Sequence, residues 1–158
     1  MIDGIDREIL TLIQSNARIS NAEVARQVGL APSATLERTR KLEASGIITG
    51  YEAQLNPVTL GARLLAFIFV RSNEGPGSPE TSQFLKSLPE VQEIHHIAGE
   101  DCFLVKVRVP DTQALALFLR ERLGHHESIK STRTTIVLET VKESGRLPLE
   151  QLWEGYDE

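Results

Sequence analysis

The chain has 158 residues, 41% of them hydrophobic and 25% charged, with a formal net charge of −5. This is the composition of an ordinary globular protein, and its acidity excludes a histone-like or arginine-rich nucleic-acid binder. The longest apolar run, Leu64-Leu65-Ala66-Phe67-Ile68-Phe69-Val70, is far short of the roughly 18–20 residues a membrane helix needs, and the single cysteine, Cys102, excludes an internal disulfide or a multi-cysteine metal site. The first residues lack a basic segment followed by an apolar one, so no secretory signal and a cytoplasmic location are expected. The chain divides near residue 60. Two small domains each bury proportionally less surface than one large globule, which favours an oligomer.

Residues 1–50 read as helices. Asp3 can cap a first helix, with Asp6 at capping-box spacing, and Ile5, Ile9, Leu10, Leu12 and Ile13 form its apolar stripe. Ser20 and Glu23 give a full capping box for a second helix, which Gly29 ends. A third helix opens at Pro32 and runs to Ser45, with Gly46 as a left-handed cap and Ile47 set to touch Leu42. Ala31, before Pro32, cannot cap with its side chain. Residues 47–55 read as extended, and Asn56-Pro57 breaks them.

The pattern then changes. Strands are expected at Leu64–Arg71, Val91–Ile97, Phe103–Val109 and Ile129–Val141, with helices over Glu80–Leu88 and from Asp111 through Arg122. Residues 73–79 form a Gly- and Pro-rich loop, and 143–158 a polar tail. The order βαββαβ is that of the ferredoxin-like split unit. The expected class is therefore α+β, an N-terminal helix-turn-helix followed by a ferredoxin-like domain. Two helices cover one face of such a sheet, so Phe67, Phe69 and the final strand call for a second sheet, which gives a dimer.

The two short helices joined by Val28-Gly29-Leu30 make a helix-turn-helix candidate for double-stranded DNA. Val24, Val28, Leu30, Leu36 and Leu42 can pack the helices against the first, with positions 36, 39 and 42 centring the buried face of the third. Its opposite face then shows Ala34, Glu37, Arg38 and Lys41, flanked by Ser33 and Arg40. Ser33, Thr35, Arg38, Arg40 and Lys41 are the candidate DNA contacts: Ser33 for a base edge or phosphate, Arg38 for guanine or phosphate, Arg40 and Lys41 for phosphate. The competing reading is a three-helix core with solvated charges.

Ile5-Asp6-Arg7, Arg18-Ile19-Ser20-Asn21, Val28-Gly29-Leu30, Leu36-Glu37-Arg38, Lys41-Leu42-Glu43, Gly46-Ile47-Ile48, Gly50-Tyr51, Leu55-Asn56-Pro57, Gly99-Glu100, Lys106-Val107-Arg108-Val109-Pro110-Asp111 and Thr132-Arg133-Thr134 follow in an order that resembles the Lrp/AsnC (feast/famine) transcriptional regulators, nearly to Lys142. The resemblance implies a winged helix-turn-helix, with Asn21 to Arg40 as the motif itself, and a RAM/ACT-like effector and assembly domain. The boundaries it implies are 1–50 for the DNA-binding domain, 51–62 for a linking strand, 63–142 for the effector domain and 143–158 for the tail. It further implies that Ile48–Pro57 pairs with a dimer mate, that dimers assemble into a ring, and that an amino acid binds near the turn Gly99-Glu100-Asp101-Cys102, with Thr134 and Thr135 as secondary contacts. The family more often has an aromatic residue and then Asp where Asp101 and Cys102 stand. An ordinary acidic hairpin is the alternative for that turn.

Other constellations are weak. His95 and His96 alternate across a strand and cannot easily share a metal, and His125, His126 and Cys102 have no ligand spacing. No metal, cofactor or catalytic residue is expected. The rival reading is a small ferredoxin-like enzyme using Glu100, Asp101 and His95, or an effector-binding protein that does not bind DNA, with the helices as an oligomerisation arm. Trp153 and Tyr156 are expected to dock on a neighbour. Residues 1–60 carry net −1 and residues 61–158 net −4, whereas the third helix carries net +1. Few phosphates would be neutralised per subunit, which argues against a DNA-binding monomer.

Overall fold

The computed structural model describes residues 2–73, 79–99 and 102–154. They form two compact units, one of residues 1–54 with 143–158, the other of residues 55–142.

In the first unit, α1 (Gly4–Ser15) opens at a reciprocal cap. The Asp3 carboxylate accepts from the Asp6 amide at 2.9 Å, and the Asp6 carboxylate accepts from the Asp3 amide at 3.3 Å, which satisfies two backbone donors the helix cannot use. Ser20 caps α2 (Asn21–Val28) by accepting from the Glu23 amide at 3.2 Å. Glu23 does not complete the expected box. Its carboxylate accepts from Arg26 Nε at 2.9 Å and from Gln27 Nε2 at 2.6 Å, and a charge-assisted bond to a guanidinium outcompetes one to a neutral amide. Gly29, at φ +71°, turns the chain into α3 (Pro32–Ala44), a left-handed conformation that costs a residue with Cβ. Asn21 Nδ2 donates to the Pro32 carbonyl at 2.8 Å and ties the turn to the start of α3. After Gly46 (φ +73°) the Ile47 and Ile48 amides both donate to the Leu42 carbonyl, at 3.0 and 3.1 Å. Ile9, Val24 and Leu42 are the core of the unit, and Ile48 rather than Ile47 packs on them.

The tail does not stay apart. Gln14 pairs both ways with Leu147, its Nε2 donating to the carbonyl at 3.0 Å and its Oε1 accepting from the amide at 2.8 Å. Arg146 donates to the Ser15 carbonyl at 3.3 Å. On α6 (Leu149–Glu154), the Trp153 ring lies 5.7 Å from the Arg7 guanidinium, so the expectation of a neighbour for Trp153 is answered within the chain. Tyr156 lies outside the described residues.

The second unit follows the expected order: β1 (Leu64–Ser72), α4 (Glu80–Lys86), β2 (Val91–His96), β3 (Phe103–Val109), α5 (Thr112–Leu117) with a π-helical turn over Phe118–Leu123, and β4 (Ile129–Ile136). The strands lie antiparallel in the order β2-β3-β1-β4. Strand alternation sends Ala66, Ile68 and Val70 of β1 and Phe103, Val105, Val107 and Val109 of β3 toward the helices, where Leu85, Leu115, Phe118 and Leu123 complete the core. At Gly124 a Cβ would stand 2.8 Å from the Arg120 carbonyl oxygen, so the π-helical turn closes only on glycine.

Phe67, Phe69, Lys106, Glu93 and His95 alternate onto the opposite face. There the Arg133 guanidinium lies 4.0 Å from the Phe69 ring centre, and Glu93 accepts from Lys106 at 2.8 Å. His96 stacks on Phe103 at 5.1 Å on the helix side while His95 meets Glu93 at 3.2 Å on the other. Two expectations fail. The final strand ends at Ile136 rather than Val141: beyond Val137, which donates to the Leu65 carbonyl at 2.9 Å, only Leu64 of β1 remains to pair. Leu138 and Val141 are then 99% and 91% exposed. Residues 49–56 form neither helix nor strand, and a segment becomes a strand only when another strand accepts its hydrogen bonds.

Ala31, the N-cap of α3, makes no side-chain bond although its φ −66°, ψ 144° suit a capping residue. Ala31→Ser is therefore expected to stabilise α3 by about 1 kcal/mol. Amide-exchange protection in the first turn of α3 should rise roughly fivefold in the full chain; unchanged protection would show that the Ala31 end is already satisfied.

Candidate nucleic-acid interface and effector turn

The side chains of α3 settle which way it faces. Thr35 is fully buried, with its hydroxyl donating to the Ala31 carbonyl at 3.2 Å, and Thr39 repeats the bond one turn on, to the Thr35 carbonyl at 3.0 Å. With Leu42 they form the inward stripe. A threonine that returns its hydroxyl to the preceding turn presents a methyl to its neighbours, and can be buried like a small valine. Thr35 is therefore withdrawn as a DNA contact. Leu36, expected in the core, is 39% exposed. Thr35 and Leu36 are adjacent, roughly 100° apart around the helix, so choosing one for the core turns the other out.

The outward face is then Ser33, Leu36, Glu37 and Arg40, with Lys41 on its edge. Lys41 Nζ meets Glu37 at 2.7 Å, and this pair holds the Glu37 carboxyl below its usual range while leaving both side chains largely in solvent. Such a pair breaks at little cost when a phosphate competes for the lysine. Arg38 is placed differently. Its Nη1 donates to Asp3 at 2.7 Å and to Asp6 at 2.8 Å, so the structure turns it toward α1 rather than outward as expected. From the segment after α3, the Tyr51 hydroxyl donates to Glu43 at 2.9 Å; partial burial and then the Glu43 carboxylate push its pKa up to about 12.

At the second candidate site Gly99 has φ +137°, a region open to glycine. Cys102 is fixed by its amide, which donates to the Val70 carbonyl at 3.0 Å, and its Sγ accepts from the Ser72 amide at 3.5 Å. Glu100 and Asp101 lie outside the described residues. Thr134 pairs with Ile68 and Thr135 with Phe67, on opposite faces of the sheet. Sequence reasoning missed a chain of hydroxyls beside Cys102. Ser72 and Thr81 meet at 3.0 Å, Thr81 donates to Ser128 at 2.8 Å, and Ser128 meets His126 Nδ1 at 2.8 Å, the imidazole stacking on Phe84 at 3.7 Å. Its members come from three separate elements, and no local spacing reveals them. Among the described residues no group of three or more His, Cys, Asp or Glu could hold a metal ion, and no helix is long and apolar enough to cross a membrane.

Residues 2–49 match the winged helix-turn-helix DNA-binding family, and residues 65–147 the Lrp/AsnC ligand binding domain. The chain is 44% identical over 150 residues to the leucine-responsive regulatory protein of Escherichia coli strain K12, covering 92% of this chain and 90% of that one. It belongs to the Lrp/AsnC family of transcriptional regulators. A transcriptional regulator of Neisseria meningitidis solved with L-methionine is 31% identical, with TM-score 0.89 over 96% of this chain and 99% of that one. Escherichia coli AsnC is 33% identical, with TM-score 0.84 over 91% and 97% of the two chains. A member of this family is a DNA-binding regulator with a ligand-binding domain, and these relatives are regulators rather than enzymes. The rival reading as a small enzyme falls with that.

If α3 faces outward along Ser33, Leu36, Glu37 and Arg40, Thr35→Val should keep DNA affinity within about twofold, whereas Arg40→Ala should weaken it about fivefold or more across sequences, as loss of a phosphate contact does. Fluorescence anisotropy on a duplex selected by the wild-type chain measures both. Equal losses in the two variants would show that the face is misassigned.

Proposed function

We propose that this regulator reads a double-stranded operator through the outward face of α3, with Ser33 near the helix N-terminus, Arg40 and Lys41 as its contacts. The observation that carries the reading is that face itself: two cations and a small hydroxyl residue stand exposed on α3, away from the Thr35–Leu42 stripe. Residues 1–50 are the reader, 51–62 the link and 63–142 the effector and assembly domain, and the work is cytoplasmic. The active species is a homodimer, assembling further into a ring of dimers. Three features support assembly: among the described residues no helix packs on the sheet face bearing Phe67 and Phe69, residues 49–56 join no strand of the chain, and the net charge of −5 leaves one reader little phosphate attraction.

The effector in this reading is an amino acid held at the turn Gly99-Glu100-Asp101-Cys102. Two relatives support it, the Neisseria regulator above and a Mycobacterium tuberculosis feast or famine regulatory protein, 29% identical with TM-score 0.85 over 93% of this chain and 99% of that one, both solved with L-methionine. Glu100 and Asp101 supply carboxylates for an ammonium group, and Cys102 a soft apolar wall. Thr134 and Thr135 serve opposite faces, so at most one of them lines the site. The effector acts by favouring one arrangement of dimers over another.

A thermal-shift screen over the amino acids tests the effector. A true ligand at 100 times its Kd adds about 2.7 kcal/mol, a rise of roughly 11–22 °C at about 4–8 °C per kcal/mol for a domain this small. No shift with any amino acid would remove the effector assignment. Sedimentation at micromolar concentration tests assembly, and a monomer there would overturn it.

A further inference from the structure

Arg38 sits in the middle of the helix that faces DNA, yet its guanidinium is bound on the other side. Its Nη1 reaches Asp3 at 2.7 Å and Asp6 at 2.8 Å, and those two carboxylates are already joined to each other's amides as the cap of α1. Asp6 is the better shielded of the two, with 14% of its side chain exposed against 52% for Asp3 and 32% for Arg38. The contact holds the Asp3 carboxyl below its usual range, after the Asp6 amide, which lowers it most.

The packing of α3 explains why such a clamp is needed. Only Thr35 and Leu42 of this helix are buried, and Leu42 is the single large apolar side chain among them. Two threonines and a leucine make a thin stripe, which leaves rotation about the helix axis weakly resisted. Two ties supply the rest: Asn21 on the Pro32 carbonyl at the start and Arg38 on the α1 cap in the middle. The middle tie is the one that opposes rotation, because it reaches sideways to another helix.

We propose that Arg38 is a positioning residue: clamped by Asp3 and Asp6, it fixes the angle at which α3 presents Ser33, Arg40 and Lys41, and it touches no nucleic acid. This rests on the reading that the outward face of α3 contacts DNA. The two roles open to Arg38 predict opposite signs. If Arg38 were a DNA contact held in reserve, removing a neighbouring carboxylate would free a cation and delete a negative charge, and affinity would rise. If it positions the helix, the same change lowers affinity.

The test uses the full chain and a duplex recovered from a random-sequence pool by the wild type. Dissociation constants are measured over a salt series for Arg38→Ala, Asp6→Asn, Asp3→Asn, the Arg38→Ala/Asp6→Asn double variant and Arg40→Ala, each checked by circular dichroism. Arg38→Ala and Asp6→Asn are expected to weaken binding about tenfold, and the double variant no more than Arg38→Ala alone, as coupled partners behave. Asp3→Asn, which keeps a capping side chain, should weaken it about threefold. The slope of log affinity against log salt stays at the wild-type value in all four, whereas Arg40→Ala reduces it by about 0.9 for each phosphate it no longer neutralises. Tighter or unchanged binding by Asp6→Asn and Asp3→Asn overturns the proposal, as does a reduced slope for Arg38→Ala. Should Arg38→Ala fail to fold, the two asparagine variants decide. If the wild type selects no duplex, the DNA-facing assignment itself fails rather than the role of Arg38.

Discussion

The rotation of α3 about its own axis governs what this protein can read. Its setting follows from a small choice made by packing: Thr35 goes in and Leu36 goes out. Burying a threonine requires that its hydroxyl be satisfied, and an α-helix always offers the carbonyl four residues back, which already serves the backbone and has a second lone pair to give. Burying Leu36 instead would gain more apolar area, but would bring Ser33 and Arg40 round to the flank of the buried stripe, where an unpartnered cation loses part of its hydration. The polar residues that face outward are thus held there by the cost of every other orientation.

This explains which parts of the molecule can be read from its residues and which cannot. The caps at Asp3 and Ser20, the glycine turn at Gly29 and the period-two pattern of β1 and β3 are local signals, and the elements they mark form where those signals stand. Hydropathy alone sets the face of α3 about one residue position off, because it ranks leucine above threonine, whereas burial in a thin helical stripe rewards size and hydroxyl satisfaction together. In the sequence Arg38 reads as a free cation because its partners lie more than thirty residues earlier, in a cap whose own function is local. The hydroxyl chain from Ser72 to His126 is invisible there for the same reason: four ordinary polar residues meet only after the sheet has assembled. The opposite placement of Thr134 and Thr135, by contrast, is available from strand alternation alone.

The second unit shows how a small domain divides its surfaces. One side of the sheet is finished, with residues of β1 and β3 almost wholly buried under α4, α5 and the π-helical turn. The other carries two phenylalanines among paired charges: Glu93 with Lys106 and His95, and Arg133 over Phe69. Aromatic area beside a paired lysine and carboxylate is the composition of a face that can be covered at less cost than one with bare ions, since Lys106 and Glu93 keep each other when water leaves.

The bonds of Gln14 and Arg146 place the end of the chain in the same unit as its beginning, with residues 55–142 between. The DNA-binding unit is therefore discontinuous along the chain. A ribosome delivers its three helices first, the entire ligand-binding unit next, and the segment that closes on α1 last. The Leu147 side of α1 stays uncovered while about 90 further residues are made, at about 5–20 residues per second, and the segment after residue 142 then covers it. In a regulator assembled in this order, the contact of Gln14 with Leu147 forms only after the ligand-binding unit between them has been made.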